Sequence, residues 1–167
     1  MNCAPTIQTW RRVMHVQAIL VATDFSDCAG AAFQMARELS RKFGAKIILL
    51  HVIDLRLLER LAEHLQVQPE SLIPEMREKA QQRLGDFLNR WDSGADPVES
   101  LVAVGTPFQE IAVVARDLAA DLVALGGYGR HGRGPIEEVF FGSTAEKVVR
   151  LLPCPVLCVP LAGKGKE

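Results

Sequence analysis

The stretch Glu99–Gly126, "ESLVAVGTPFQEIAVVARDLAADLVALG", decides the fold because it holds a strand, a helix and another strand in direct succession. Glu99–Val104 ends in an apolar run that Gly105 stops, as in a strand covered on both faces of a parallel sheet. Thr106 suits a helix N-cap and Pro107 the first helical position. Ile111, Val114, Ala115 and Leu118 then recur on one side of the expected helix, and Leu122–Leu125 is a second buried strand. Strands joined by single helices lie parallel, with each helix packed on a sheet face by a right-handed crossover.

Working outward, the same alternation continues in both directions. Ala18–Thr23 is an apolar strand, followed by a helix with Asp24, Ser26 and Asp27 at its start. That helix places Ala29, Ala32, Phe33, Ala36 and Leu39 on one face, stops at Gly44, and is followed by a strand at Lys46–Ile53. A charged helical piece spans Leu55–Leu65, and "QVQPESLIP" (66–74) reads as a turn. A longer amphipathic helix is expected from Glu75 to Trp91, with Met76, Ala80, Leu84, Phe87, Leu88 and Trp91 on its packed face. Toward the C-terminus a helix over Thr144–Leu152 precedes a strand, Pro155–Pro160, bracketed by prolines.

Five strands alternating with helices predict an α/β fold, a doubly wound parallel sheet with helices on both faces, in a single domain over residues 18–160. Residues 1–17 read as an N-terminal extension and 161–167 as a C-terminal tail. Ligands of such sheets bind beyond the carboxyl ends of the strands, where the winding direction switches. Asp24, Val52, Gly105 and Gly126 all stand at or near those ends.

Composition bounds the partners. The chain of 167 residues is 49% hydrophobic and 23% charged with a formal net charge of −1, so nothing draws it as a whole toward nucleic acid or a membrane surface. No apolar run approaches the roughly 20 residues of a membrane helix. Arg11-Arg12 starts no proper export signal, because His15, Gln17 and Asp24 break the apolar stretch behind it, and a cytoplasmic location is expected. Cys3, Cys28, Cys154 and Cys158 lack the close pairing of a zinc or redox site and are read as reduced thiols without chemistry.

The chemistry lies in "GGYGRHGRGPIEEVFFGST" (126–144), which holds six of the chain's 13 glycines. Gly127–Gly132 matches GxGxxG, but it follows the fourth strand rather than the first, and Gly134-Pro135 stand where a helix should run. The absence of any GK[ST] excludes a Walker A loop. The frame that fits is Gly129-x-x-Gly132, nine residues, then Gly142-Ser143. Ser143 and Glu146 form an SxxE capping box, which puts the pair at the positive end of a helix dipole, a ready anion site. Gly129 and Gly132 would bring backbone N–H groups to a phosphate, with Arg130, His131 or Arg133 adding charge. Asp24 beside a polyphosphate suggests a Mg²⁺ or ribose contact, its alternative role being a helix cap.

With "AILVATDFSDCA", "KIILLHVID", "VGTPFQEIAVVARDLAADLVALG" and "GRHGRGPIEEVFFGSTAEKVV" on the page, followed by "CPVLCVP", the chain resembles the universal stress proteins over Ala18–Pro160. The last two blocks are similar to the family's GxxGx(9)G[ST] signature and closing strand. The resemblance implies strand order 3-2-1-4-5, homodimers paired through the last strand, and ATP with Mg²⁺ at the switch point, in a stress-linked regulatory protein rather than a fast enzyme. Carried over by position, Ala22, Thr23 and Asp24 would lie by the adenosine and ribose, with Asp24 reaching nucleotide-bound Mg²⁺. Val52 would pack by the adenine, and the strand end Leu125-Gly126 would border the site. Gly129, Arg130, Gly132, Arg133, Gly142, Ser143 and Thr144 would hold the phosphates. Two departures stand out: Ala22 replaces a frequent proline, and about three extra residues near Gly127–Gly129 separate strand from signature. The competing expectation is a dimeric module of the same fold that binds no nucleotide and contacts a protein partner through residues 55–91. Slow ATP hydrolysis with His131 near the phosphates is the furthest extent of enzymatic activity expected, since no base with an orienting partner is in view.

Overall fold

The computed structural model describes residues 15–94, 96–127, 142–151 and 154–160. In chain order the elements are β1 (Ala18–Thr23), α1 (Asp27–Phe43), β2 (Lys46–Asp54), α2 (Leu55–Leu65), α3 (Pro69–Trp91), β3 (Glu99–Gly105), α4 (Pro107–Asp117), β4 (Leu122–Gly126), α5 (Ser143–Leu151) and β5 (Val156–Val159). The strands form one parallel sheet in the order β3-β2-β1-β4-β5. Winding therefore reverses between β1 and β4, whose C-terminal ends meet with Ala22 opposite Leu125.

Alternation along each strand sorts the core into two layers. Ile19, Val21, Ile47 and Leu49 point to one face and pack with Phe33, Ala36, Leu84 and Phe87 of α1 and α3. Leu20, Ile48, Leu50, Val123 and Leu125 point to the other and meet Ile111, Ala115, Ala145 and Val148 of α4 and α5. The period of two residues in a strand thus explains why the central runs Ile19–Val21 and Ile47–Leu50 are apolar at every position.

Local chemistry fixes the helix ends. Ser26 caps α1 by accepting from Ala29 N at 3.2 Å, and Gly44 ends it at φ 69, a left-handed conformation open to glycine. Arg37, almost fully buried, pins α1 to the end of α3: its Nε donates to Asp92 Oδ1 at 2.9 Å, its Nη2 pairs with Asp92 Oδ2 and donates to Asp96 O at 2.8 Å. Trp91 lies against Gly30, where an added Cβ would come within 2.2 Å of the indole ring. Trp91 is therefore packing, as its place on the apolar face of α3 predicts. On the β3 edge of the sheet, Arg77 of α3 donates Nη1 to the carbonyl of Val102 at 2.8 Å.

Two expectations need correction. The 66–74 segment is not all turn, because α3 begins at Pro69 and runs through Pro74. Pro69 sits at the first helical turn, where a missing N–H costs nothing, and Ser71 anchors that turn by donating from its N and Oγ to Gln68 O. Thr106 does occupy the N-cap of α4, but only its backbone works there, with the carbonyl accepting from Gln109 N and Glu110 N and the side chain making no cap bond.

Candidate functional site

A cleft of about 740 Å³ opens above the C-terminal ends of β1, β2 and β4. That volume lies in the usual range of small-molecule sites, about 300–1,000 Å³. Three groups of residues build it.

The first is the turn after β1, where Ala22, Thr23 and Asp24 line the cleft. The turn is locked locally: Thr23 Oγ1 accepts from Phe25 N at 2.9 Å and Asp24 Oδ1 from Ser26 N at 3.0 Å. Phe25 is held at φ 66, an unusual conformation for a bulky residue. Its ring lies between His51, with centroids 4.3 Å apart, and the Arg83 guanidinium, 4.1 Å from the ring centre. His51 Nδ1 stands 2.8 Å from Thr23 O, and since a carbonyl only accepts, Nδ1 carries the hydrogen. Asp24 is half-buried and lines the cleft; it is not the cap of α1, which is Ser26, but accepts from the cap residue's N–H and so serves the turn.

The second group is the anion end. Leu125, Gly126, Gly142, Ser143 and Thr144 line it. A Cβ on Gly126 would stand 2.9 Å from the carbonyl carbon of Cys28 and 3.0 Å from Ala29 N, so only glycine lets α1 approach β4 this closely. Gly127 N donates to Val159 O and Gly142 N to Gly127 O, each at 2.8 Å, which ties the start of α5 to the end of β4. Glu146 N makes the first helical bond, to Gly142 O, at 3.0 Å. Gly142 is therefore the cap, and the capping box expected of Ser143 and Glu146 is not formed: Ser143 is the first helical residue, and the Glu146 carboxylate pairs with Arg150 one turn on. The shift leaves the N–H groups of Ser143, Thr144 and Ala145 in positions that a helix leaves without an intrahelical acceptor, an arrangement able to receive an anion. Gly129, Arg130, His131, Gly132 and Arg133 lie outside the described residues.

The third group was not anticipated as part of the site. Leu57, Leu58 and Leu61 of α2 and Met76, Lys79, Ala80 and Arg83 of α3 close the side of the cleft near Val52. Asp54 joins them at the end of β2, where it caps α2 by accepting from Arg56 N at 3.0 Å. The Arg56 guanidinium, 2.9 Å away, holds the Asp54 carboxyl below the usual carboxylate range. The spacing of Met76, Lys79, Ala80 and Arg83 along one helix face was the available signal, but nothing in sequence says which way a crossover helix leans.

Of the two carboxylates at the cleft, Asp54 is paired with Arg56 and Asp24 stands in the turn after β1, a set that fits a Mg²⁺ arriving on phosphates, a metal usually held by one or two carboxylates and substrate oxygens. Among the described residues no three His, Cys, Asp or Glu side chains gather to hold a metal by themselves. Cys154 and Cys158, half-buried beside the α4–α5 layer, have thiols pushed up by burial, which disfavours the reactive thiolate.

Comparison with known proteins gives a consistent picture. The model of the universal stress protein family matches residues 15–160. Universal stress protein MJ0577 of Methanocaldococcus jannaschii is 27% identical, with 84% of this chain and 93% of that protein covered. Universal stress protein YxiE of Bacillus subtilis is 30% identical, covering 84% of this chain and 97% of the relative. The solved structure of MJ0577 superposes with a TM-score of 0.74 at 26% identity, over 90% of this chain and 100% of the other. The universal stress protein of Archaeoglobus fulgidus in complex with dAMP shares the fold, with a TM-score of 0.59 at 22% identity over 87% of this chain and 99% of that one.

Proposed function

The chain belongs to the universal stress protein family, and from that premise we propose that it is a cytoplasmic regulatory protein that binds ATP with Mg²⁺ in the cleft above β1, β2 and β4. The observation that carries this reading is the hydrogen bond between Gly142 N and Gly127 O, which sets the open N–H groups of α5 at the end of β4, the neighbour of β1, whose end presents Asp24. In this reading Thr23 and Asp24 face the ribose, Val52 packs on the adenine, and Gly142, Ser143 and Thr144 hold phosphate oxygens by backbone and hydroxyl donors. Gly129, Arg130, Gly132 and Arg133 would complete the phosphate cradle. Asp24 would share a nucleotide-borne Mg²⁺, whose role is to neutralise the crowded phosphates. Ala22 and Leu125, opposite each other on β1 and β4, border the site between these two ends.

Binding rather than turnover is the expected output of such a regulatory protein. Two copies would pair through β5, an edge strand whose four residues are all half-buried in the single chain. Equilibrium titration with ATP, with and without Mg²⁺, tests the reading: one site per chain is expected, and folded protein that binds no ATP would refute it. A second reading, a partner-binding module that takes no nucleotide, draws on exposed Leu65 and Val67 at the far end of α2. Capture of one protein partner by wild type but not by Leu65→Glu, in protein that ignores ATP, would favour it.

A further inference from the structure

We infer that the cleft-facing sides of α2 and α3 form the wall that grips the ligand's planar base, and that α2 is a lid that closes over it. This rests on the nucleotide reading and adds to it the element that discriminates the base and responds to it. The cleft has unlike ends. Its α5 end offers backbone donors, whereas its α2–α3 end offers mainly Leu57, Leu58, Leu61, Met76 and Ala80, and the charged groups beside them, Asp54, Lys79 and Arg83, are engaged with Arg56, Glu75 and the Phe25 ring. A nucleotide lying across the sheet with its phosphates at α5 directs its base to that apolar end. A flat aromatic ring there gains from leucine methyls and from a polarizable thioether.

Exposure identifies the moving part. Leu57 lines the cleft and is nonetheless 62% exposed, so a large apolar side chain at the ligand site faces water. Elsewhere on α2 only Leu58 and Ala62 are buried, which leaves this helix with the thin apolar anchoring expected of elements that open locally. Both ends suit a hinge. Asp54 is at once the last residue of β2 and the cap of α2, and Gln66 turns the chain at φ 56, outside the conformations favoured by a residue with a side chain. By contrast α3 buries Ala80, Leu84 and Phe87 and is fastened by Arg37, so it is the fixed jaw. The rim cations of α3 are already engaged, Lys79 with Glu75 at 2.5 Å and Arg83 over Phe25, and the proposed grip does not require them.

Amide hydrogen exchange on the full chain, free, with ATP, and with inorganic tripolyphosphate, tests the lid. ATP is expected to slow exchange across residues 55–65 severalfold, while tripolyphosphate, which has no base, competes with ATP but leaves those amides unchanged. Leu57→Gln changes an exposed side chain, so its thermal midpoint should match wild type while its Kd for ATP rises about three- to tenfold. Its affinity for tripolyphosphate should not change. ATP binding without protection of 55–65, or with unchanged affinity in Leu57→Gln, overturns the lid and leaves the nucleotide reading standing. Failure of folded wild type to bind ATP overturns both.

Discussion

Gly142 donates its backbone N–H to the carbonyl of Gly127 at 2.8 Å, so the two ends of the glycine-rich segment meet whatever path the residues between them take. The extra Gly127-Tyr128 ahead of the signature frame therefore leaves the start of α5 attached to β4. Replacing Gly142 with proline removes the donor. Gly142→Pro is expected to lose about 1 kcal/mol of stability, the usual worth of one hydrogen bond, and to weaken ATP binding at least about tenfold by releasing α5. Calorimetric titration beside thermal unfolding separates the two effects.

Asp24 holds the turn after β1, and the proposed function gives it a ligand role as well; two substitutions divide the two. Asp24→Asn keeps an oxygen for Ser26 N, so stability should stay within about 0.5 kcal/mol of wild type. Its affinity for ATP should fall more in Mg²⁺ than in chelator. Asp24→Ala should in addition lower stability by about 1 kcal/mol through loss of that bond. Equal loss in Mg²⁺ and chelator for Asp24→Asn would place the carboxylate on the ribose alone.

The ion pair of Arg37 and Asp92 is almost closed to water, so removing one partner strands the other. Asp92→Ala is expected to cost about 3–5 kcal/mol in urea unfolding. Burial raises the Asp92 carboxyl, but hydrogen bonds from Arg37 and Gly94 N outweigh it and leave the group below its ordinary value. A carboxyl lowered in the folded state contributes stability above its unfolded pKa and loses that contribution as pH falls toward the folded one. Wild type should accordingly lose stability below about pH 4, an effect attenuated in Asp92→Ala.

Gly30 allows Trp91 to lie on α1. Gly30→Ala places a methyl inside contact distance of the indole, and since the methyl is fixed to the backbone of α1 the ring must move. An overpacking cost of about 1–3 kcal/mol is expected. Trp91 fluorescence should shift to longer wavelength as the ring is displaced toward water, and an unshifted spectrum with unchanged stability would contradict the packing described.

The parallel sheet and the placement of helices on both faces were legible because each buried strand is a short apolar run and each helix carries one apolar stripe, whereas the strand order came only with the family resemblance. Asp24, Val52, Gly126, Gly142 and Ser143 were legible as cleft residues from their places at strand ends and one helix start, whereas Ala22, Thr23, Leu125 and Thr144 came with the family resemblance. Prolines misled at 66–74, where Pro69 begins a helix that punctuation suggested it would prevent. The cap at α5 was misplaced by one residue, since a glycine and a serine in succession can both serve and only the hydrogen bonds choose. The α2–α3 wall was unreadable because it depends on how a helix pair leans over the sheet, which no local pattern encodes.

The bond from Arg77 to Val102 gives the two borders of the sheet different characters. A parallel sheet with both borders bare can recruit strands at either side and propagate into fibrils. Here a guanidinium occupies one carbonyl of the β3 border, and a strand arriving there must first displace a charged, hydrated group. The proposed pairing through β5 would accordingly stop after one partner, and the protein should remain dispersed at concentrations that would drive a sheet unguarded on both sides into aggregates.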